Sequence, residues 1–382
     1  MVIGKAILAA ALAVAPAFGA SAQSAFKIGS SLGLTGYGSQ TDSHWRDGLQ
    51  LAIAALNAKG GVLGHKLSLV YEDNQSTPQQ AIVGYRKMMS EDGVKVFDSG
   101  CISAGNFAAA SFVTRAKIPM LLCSILPRLP AEQKWAFSFL PPPKFEIDAR
   151  YEYLKNKTKI RKIGILADPS PYSMMMRGLA EKEAAAYGLK VVANESYQQD
   201  DADFSIQIGR IHSAGAGAVI MLGQGNAVVT AANNIKHLGL TKLLLLGSIN
   251  ERGLVLAAGN VLGSQYLFPA PEIQVAEDDL SMIANPKSRA AAEQFVKPLK
   301  AKFGNADPGQ SARAWDSLML YAMAAKKANA MSGARLRDAL ETIGHYDGAG
   351  ASYNFSKKQH VGITQNPYHL AYVKNGKLTF AP

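Results

Sequence analysis

The stretch from Gly48 to Ala81, GLQLAIAALNAKGGVLGHKLSLVYEDNQSTPQQA, holds the pattern that decides the fold. Leu49, Ala52, Ile53 and Leu56 share one face of a helix that starts near His44. Gly60-Gly61 ends that helix, because glycine tolerates the φ needed to leave it. Lys66–Asp73 alternates as a half-buried strand does. Thr77 then fits an N-cap, and Pro78 the first position of a second helix. With the extended run Phe26–Leu34 in front, the order is strand, helix, strand, helix.

The same order runs outward from there. VKVFDSG is a strand, SAGNFAAASFVTRAK a helix and IPMLLCS a strand again. Leu140–Lys144 (LPPPK) breaks the pattern, since consecutive prolines continue neither a helix nor a central strand. The alternation restarts with the strands RKIGILAD, LKVVANESY, AVIMLG and KLLLLG, separated by helical segments. FPAPE (Phe268–Glu272) is a second point of punctuation. Three helical segments follow with no strand between them, Pro286–Phe303, Pro308–Asn329 and Gly333–Ile343, and then the short strand-like runs ASYNFS, YHLAYVK and KLTFAP. Buried strands followed by helices of this length predict an α/β chain with two doubly wound parallel-sheet lobes. The late helices and strands are expected to pack back onto those lobes. No internal repeat or low-complexity segment stands out.

The first residues, MVIGKAILAAALAVAPAFGASAQS, have the order of a secretory signal: Lys5, an apolar run from Ala6 to Ala15, the breakers Pro16 and Gly19, then Ala20-Ser21-Ala22. The apolar run is too short to span a bilayer. Cleavage is expected near Ala22, with export from the cytoplasm. The remaining length suits two domains, and a hydrophobic fraction of 48% lets each bury a core. The net charge of +11 is scattered. Its densest run, KNKTKIRK at Lys155–Lys162, reads as a solvated helix end rather than a nucleic-acid patch, which needs aromatic partners. Cys101 and Cys123 each end a strand pattern. An oxidising compartment permits a disulfide between them, and buried free thiols are the alternative.

Motifs of chemistry are missing. Seven histidines are spread through the chain without HExxH or paired-cysteine spacing, so no metal site is expected. There is no GxxxxGK[ST] loop, and neither Gly36-Tyr37-Gly38 nor Gly223-Gln224-Gly225 has the third glycine of a dinucleotide site. No catalytic residue and no cofactor is assigned. Asp200, Asp201 and Asp203, and likewise Glu277, Asp278 and Asp279, read as caps or solvated groups. Ligands of open parallel sheets bind beyond the carboxyl ends of the strands. Those ends offer Tyr37, Ser103, Ser124, Tyr172, Gln224, Ser248 and Asn250. Ser103 opens a helix, where its hydroxyl and free backbone N–H groups can hold an anion.

Six segments resemble one family: KIGSSLGLTGYGS, the opening stretch from Gly48 to Ala81, GVKVFDSG, AKIPMLL, DADFSIQIGRIHSAGAGAVIM and AWDSLMLYAMAAKKA. They are similar to the periplasmic solute-binding proteins of ABC transporters, of the leucine/isoleucine/valine-binding type. The resemblance spans nearly all the chain after the export signal. It implies a periplasmic type I binding fold whose chain crosses a hinge three times. Residues 1–22 would be the signal, 23–141 plus 270–345 the first lobe, and 142–269 plus 346–382 the second. It implies a monomer that gives a small-molecule ligand to a membrane permease, with no nucleic acid involved. Ser103 matches the serine that binds the ligand carboxylate, Ser124 a backbone contact, and Tyr172 the tyrosine that covers the ligand. Gln224 stands where a tyrosine is frequent. Leu126 replaces a carboxylate-binding threonine, and the acid that pairs with a ligand ammonium is missing around Gly247–Asn250, with Glu251 one shift away. A small carboxylate is therefore expected rather than an α-amino acid. Tyr37, Trp45 and Tyr172 could stack on an aromatic one. Branched-chain or other amino-acid binding, a sensory module of the same fold, and an exported α/β enzyme are the alternatives.

Overall fold

Thr77 does cap the helix that follows it, its hydroxyl accepting from the Gln80 N–H at 3.3 Å. The computed structural model describes residues 24–382 except 125–133, 199, 224 and 305–306. The export signal expected over residues 1–22 lies outside the described residues. Among these, no helix is long and apolar enough to cross a membrane.

In the first lobe the order is β1 (Phe26–Leu32), α1 (Ser39–Ala58), β2 (Leu67–Asp73), α2 (Pro78–Ser90), β3 (Phe97–Ser99), α3 (Ser103–Arg115), β4 (Met120–Leu122) and β5 (Ala136–Ser138). The second lobe runs α4 (Lys144–Lys157), β6 (Lys162–Ala167), α5 (Pro171–Ala184), β7 (Lys190–Ser196), α6 (Ser205–Ser213), β8 (Ala218–Leu222), α7 (Ala227–His237), β9 (Leu244–Leu246), α8 (Arg252–Leu262) and β10 (Tyr266–Pro271). Then come α9 (Glu272–Ala276), α10 (Pro286–Phe303), α11 (Pro308–Ala328), α12 (Gly333–Glu341), the hairpin β11 (His345–Asp347) and β12 (Ser352–Asn354), and finally β13 (Tyr368–Lys374) and β14 (Lys377–Phe380).

The first sheet has the order β2-β1-β3-β4-β5 and is parallel throughout. The second has the order β14-β13-β10-β9-β8-β6-β7, with β13 and β14 added antiparallel. Its parallel part repeats the arrangement of the first sheet. Each lobe is thus doubly wound, as the alternation predicts. Both faces of each sheet are covered by apolar side chains, Trp45, Phe137 and Leu318 on one side of the first sheet and Tyr85, Phe97 and Val113 on the other. β10 forms although it contains Pro269 and Pro271. The prolines come after Leu267, where pairing to β9 has ended and only β13 lies alongside.

The late helices return to the first lobe. α11 lies along α1 so closely that a Cβ on Gly48 would meet the Ser311 carbonyl oxygen at 2.1 Å. The return to the second lobe comes later than residue 346. Tyr353, Phe355 and Ile363 all sit in the first core, because the β11–β12 hairpin packs its rings on Phe137 and Phe139. β13 is the first later element in the second sheet.

Candidate functional site

Doubly wound sheets leave a crevice where the strand order reverses, between β1 and β3 in the first lobe and between β6 and β8 in the second. In the first lobe one buried carboxylate joins the two loops at that point. Asp42, near the start of α1, accepts from the Gly33 N–H and the Cys101 N–H, both at 2.6 Å. Ser76 accepts from the Gly38 N–H at 3.0 Å and donates to the Thr35 carbonyl at 2.8 Å. These contacts fix the turn that carries Tyr37. Cys101 and Cys123 are joined in a disulfide that ties the loop before α3 to the end of β4. Ser103 then opens α3 with no side-chain cap on its first turn.

Ser124 is brought beside this loop but is fully buried. Its hydroxyl accepts from Asn106 Nδ2 at 2.6 Å and its carbonyl accepts from the Ser138 hydroxyl at 2.6 Å, so its side chain braces the loop rather than facing a ligand. Trp45 is core. It is fully buried and donates from Nε1 to Asp98 at 3.2 Å. Burial pushes the Asp42 carboxyl up to about 6, Asp316 to about 7 and Asp98 to about 8. Each folded value lies above the unfolded one, so the stability these groups lend is complete below about pH 4 and is lost as pH rises through 6 to 8. The urea midpoint should therefore fall between pH 5 and pH 8.5, and a flat profile over that range would refute the assignment.

In the second lobe Tyr172 lies in the first turn of α5 and donates its hydroxyl to Glu146. Glu146 also pairs with Arg150 at 3.1 Å, and Arg150 donates from Nε to the Gly247 carbonyl at 2.9 Å. Burial and the neighbouring Glu146 carboxylate hold the Tyr172 phenol protonated. Ser248 is turned inward, donating to the Met221 carbonyl at 3.1 Å and accepting from the Gly223 N–H at 3.3 Å. Asn250 clasps Gly225 through both its amide atoms, at 3.1 and 3.2 Å. Gln224 lies outside the described residues, as does Leu126.

The lobes meet at a recess of about 100 Å³. Tyr37 and His44 line it from the first lobe and Asn250 and Glu251 from the second, with Gln274 and Arg313 at the hinge end. Of the described residues read from strand ends, only Tyr37 and Asn250 reach this recess. Ser103, Ser124, Tyr172 and Ser248 do not line it. The acid one shift away in the sequence lines the recess: Glu251 is half-buried, and burial together with the Asp307 carboxylate pushes its carboxyl up to about 7. Asp307 itself bridges the lobes, accepting from Gly309 N–H at 2.7 Å, Gln274 Nε2 at 2.9 Å and Arg252 N–H at 3.1 Å. Sequence reasoning missed His44, Gln274 and Arg313. The one available signal was Gln310 and Arg313, polar residues three apart on the mostly apolar α11.

Residues 25–377 match a family model described as periplasmic binding protein. The Leu/Ile/Val-binding protein homolog 8 of Brucella abortus is 26% identical over 275 residues, which are 68% of this chain and 65% of that relative. The match therefore spans just under two thirds of the relative's length. Two solved structures share the fold. A periplasmic binding protein type 1 from Bordetella pertussis Tohama I has a TM-score of 0.76 at 23% identity, over 94% of this chain and 100% of the other. The substrate binding protein LivJ of a branched-chain amino acid transporter from Streptococcus pneumoniae, in complex with isoleucine, has a TM-score of 0.75 at 20% identity, over 93% and 98%.

Proposed function

This chain belongs to the periplasmic binding protein family, a family of solute-binding proteins and not of enzymes, and we propose that it captures a small organic carboxylate between its lobes and hands it to the permease of an ABC importer. The observation that carries this reading is the recess, which residues following β1, β8 and β9 line from both lobes at once. A ligand there contacts both walls, so it favours the closed arrangement of the lobes by its differential affinity. Ser103 and the uncapped first turn of α3, which lie outside the recess lining, would bind a carboxylate that reaches past it. Tyr37, 76% exposed at the rim, would offer its ring to an aromatic ligand. The export signal would place this exchange in the periplasm, with the protein acting as a monomer.

Glu251 favours a second reading. It supplies the recess with an acid that could pair with an ammonium, which is consistent with the Leu/Ile/Val-binding name of the Brucella relative. A thermal-shift screen separates the two, because a bound ligand raises the apparent melting point by mass action. Aliphatic or aromatic acids should shift it, and leucine or valine should not. A strong shift with leucine and none with any simple acid would favour the second reading. Ser103→Ala should weaken a bound carboxylate by about tenfold or more, since hydrogen bonds to charged groups contribute about 1.5–3 kcal/mol. Unchanged affinity would remove Ser103 from the site.

A further inference from the structure

Three buried side-chain polar atoms without a hydrogen-bond partner line the same recess: His44 Nδ1, Gln274 Oε1 and Arg313 Nε. Arg313 is 2% exposed. Its Nη2 donates to Gln310 Oε1, and the Tyr368 hydroxyl is also against it. Among the described residues no Asp or Glu pairs with it. Arg150 is buried as deeply, yet it has Glu146 at 3.1 Å. A guanidinium taken out of water without an anion is costly. That cost is offset when a ligand brings the anion.

We propose that Arg313 makes the hinge end of the cleft an anion subsite, so that the ligand is a small dicarboxylate with one carboxylate on Arg313 in the recess and the other reaching past the recess lining. This rests on the carboxylate reading above. His44 Nδ1, in its N–H tautomer, donates to the same anion. Gln274 spends its Nε2 on Asp307 at 2.9 Å and on the Asn250 carbonyl at 3.0 Å, which leaves Oε1 as a fixed acceptor. That wall turns an anion toward Arg313. Asp307 forms no ion pair with the guanidinium and instead accepts from three N–H donors.

The test is calorimetric titration at pH 6 of the wild type, Arg313→Met and Ser103→Ala with matched acids: butyrate against succinate, valerate against glutarate, benzoate against phthalate. At least one dicarboxylate should bind the wild type about tenfold or more tightly than its partner, the range expected for a charged hydrogen bond. Arg313→Met should abolish that preference. A wild type without the preference, or a variant that keeps it, overturns the dicarboxylate assignment and leaves the carboxylate reading standing. If the wild type binds none of these acids, both fall. Unliganded Arg313→Met should melt no lower than the wild type, because it removes an unpaired buried charge. A lower melting point would make Arg313 a structural residue and overturn the proposal.

Discussion

Arg150→Met is expected to cost about 3–5 kcal/mol of stability, the loss typical of removing one partner from a buried ion pair. The arginine is fully buried and does three things at once. It neutralises Glu146, it donates to the Glu146 carbonyl at 3.0 Å, and it holds the Gly247 carbonyl at the end of β9. Without it, Glu146 would remain as a buried carboxylate held by the Tyr172 hydroxyl alone. The loop that carries Ser248, Asn250 and Glu251 begins at Gly247, so affinity for any ligand in the recess should fall with the stability. Glu146→Gln combined with Arg150→Met removes both charges and should recover part of the loss. Urea denaturation of the two variants measures both effects. A single variant that loses under about 1 kcal/mol would show that Tyr172 suffices as the partner of Glu146.

The fold was legible because its signals are local. Thr77 and Pro78 mark a helix start wherever they stand, and the three late helices begin at Pro286, Pro308 and Gly333 as their patterns predict. The site was legible only in part, because a strand's end says where the chain leaves the sheet and not which way a side chain turns. Ser124 and Ser248 stand at such ends and turn inward to hold neighbouring loops. Trp45 shares the helix that carries His44 yet points into the core, toward Asp98. His44, Gln274 and Arg313 come from α1, α9 and α11, and only the crossings of the hinge bring them to one recess. No spacing in the sequence encodes that meeting. The β11–β12 hairpin was misplaced for a similar reason. Its rings find Phe137 and Phe139, partners some two hundred residues earlier in the chain.

Cys101→Ser with Cys123→Ser is expected to destabilise the protein by about 3 kcal/mol, the chain-entropy value for a closed loop of this size. The bond spans 22 residues and encloses α3 and β4. Its effect on ligand capture should be smaller than its effect on stability. Asp42 holds the Cys101 N–H at 2.6 Å, and Asn106 joins the Gly100 carbonyl at 2.8 Å to the Ser124 hydroxyl, so two other ties keep Ser103 near its place. The urea midpoint of the wild type with and without a thiol reductant, beside that of the double variant, measures the first effect. Titration with the tightest acid from the screen measures the second. A midpoint unmoved by reduction would mean that the buried network around Asp42 and Asn106 alone sets the stability of this loop. A loss of affinity larger than the loss of stability would mean that the bond, rather than Asp42, places the first turn of α3.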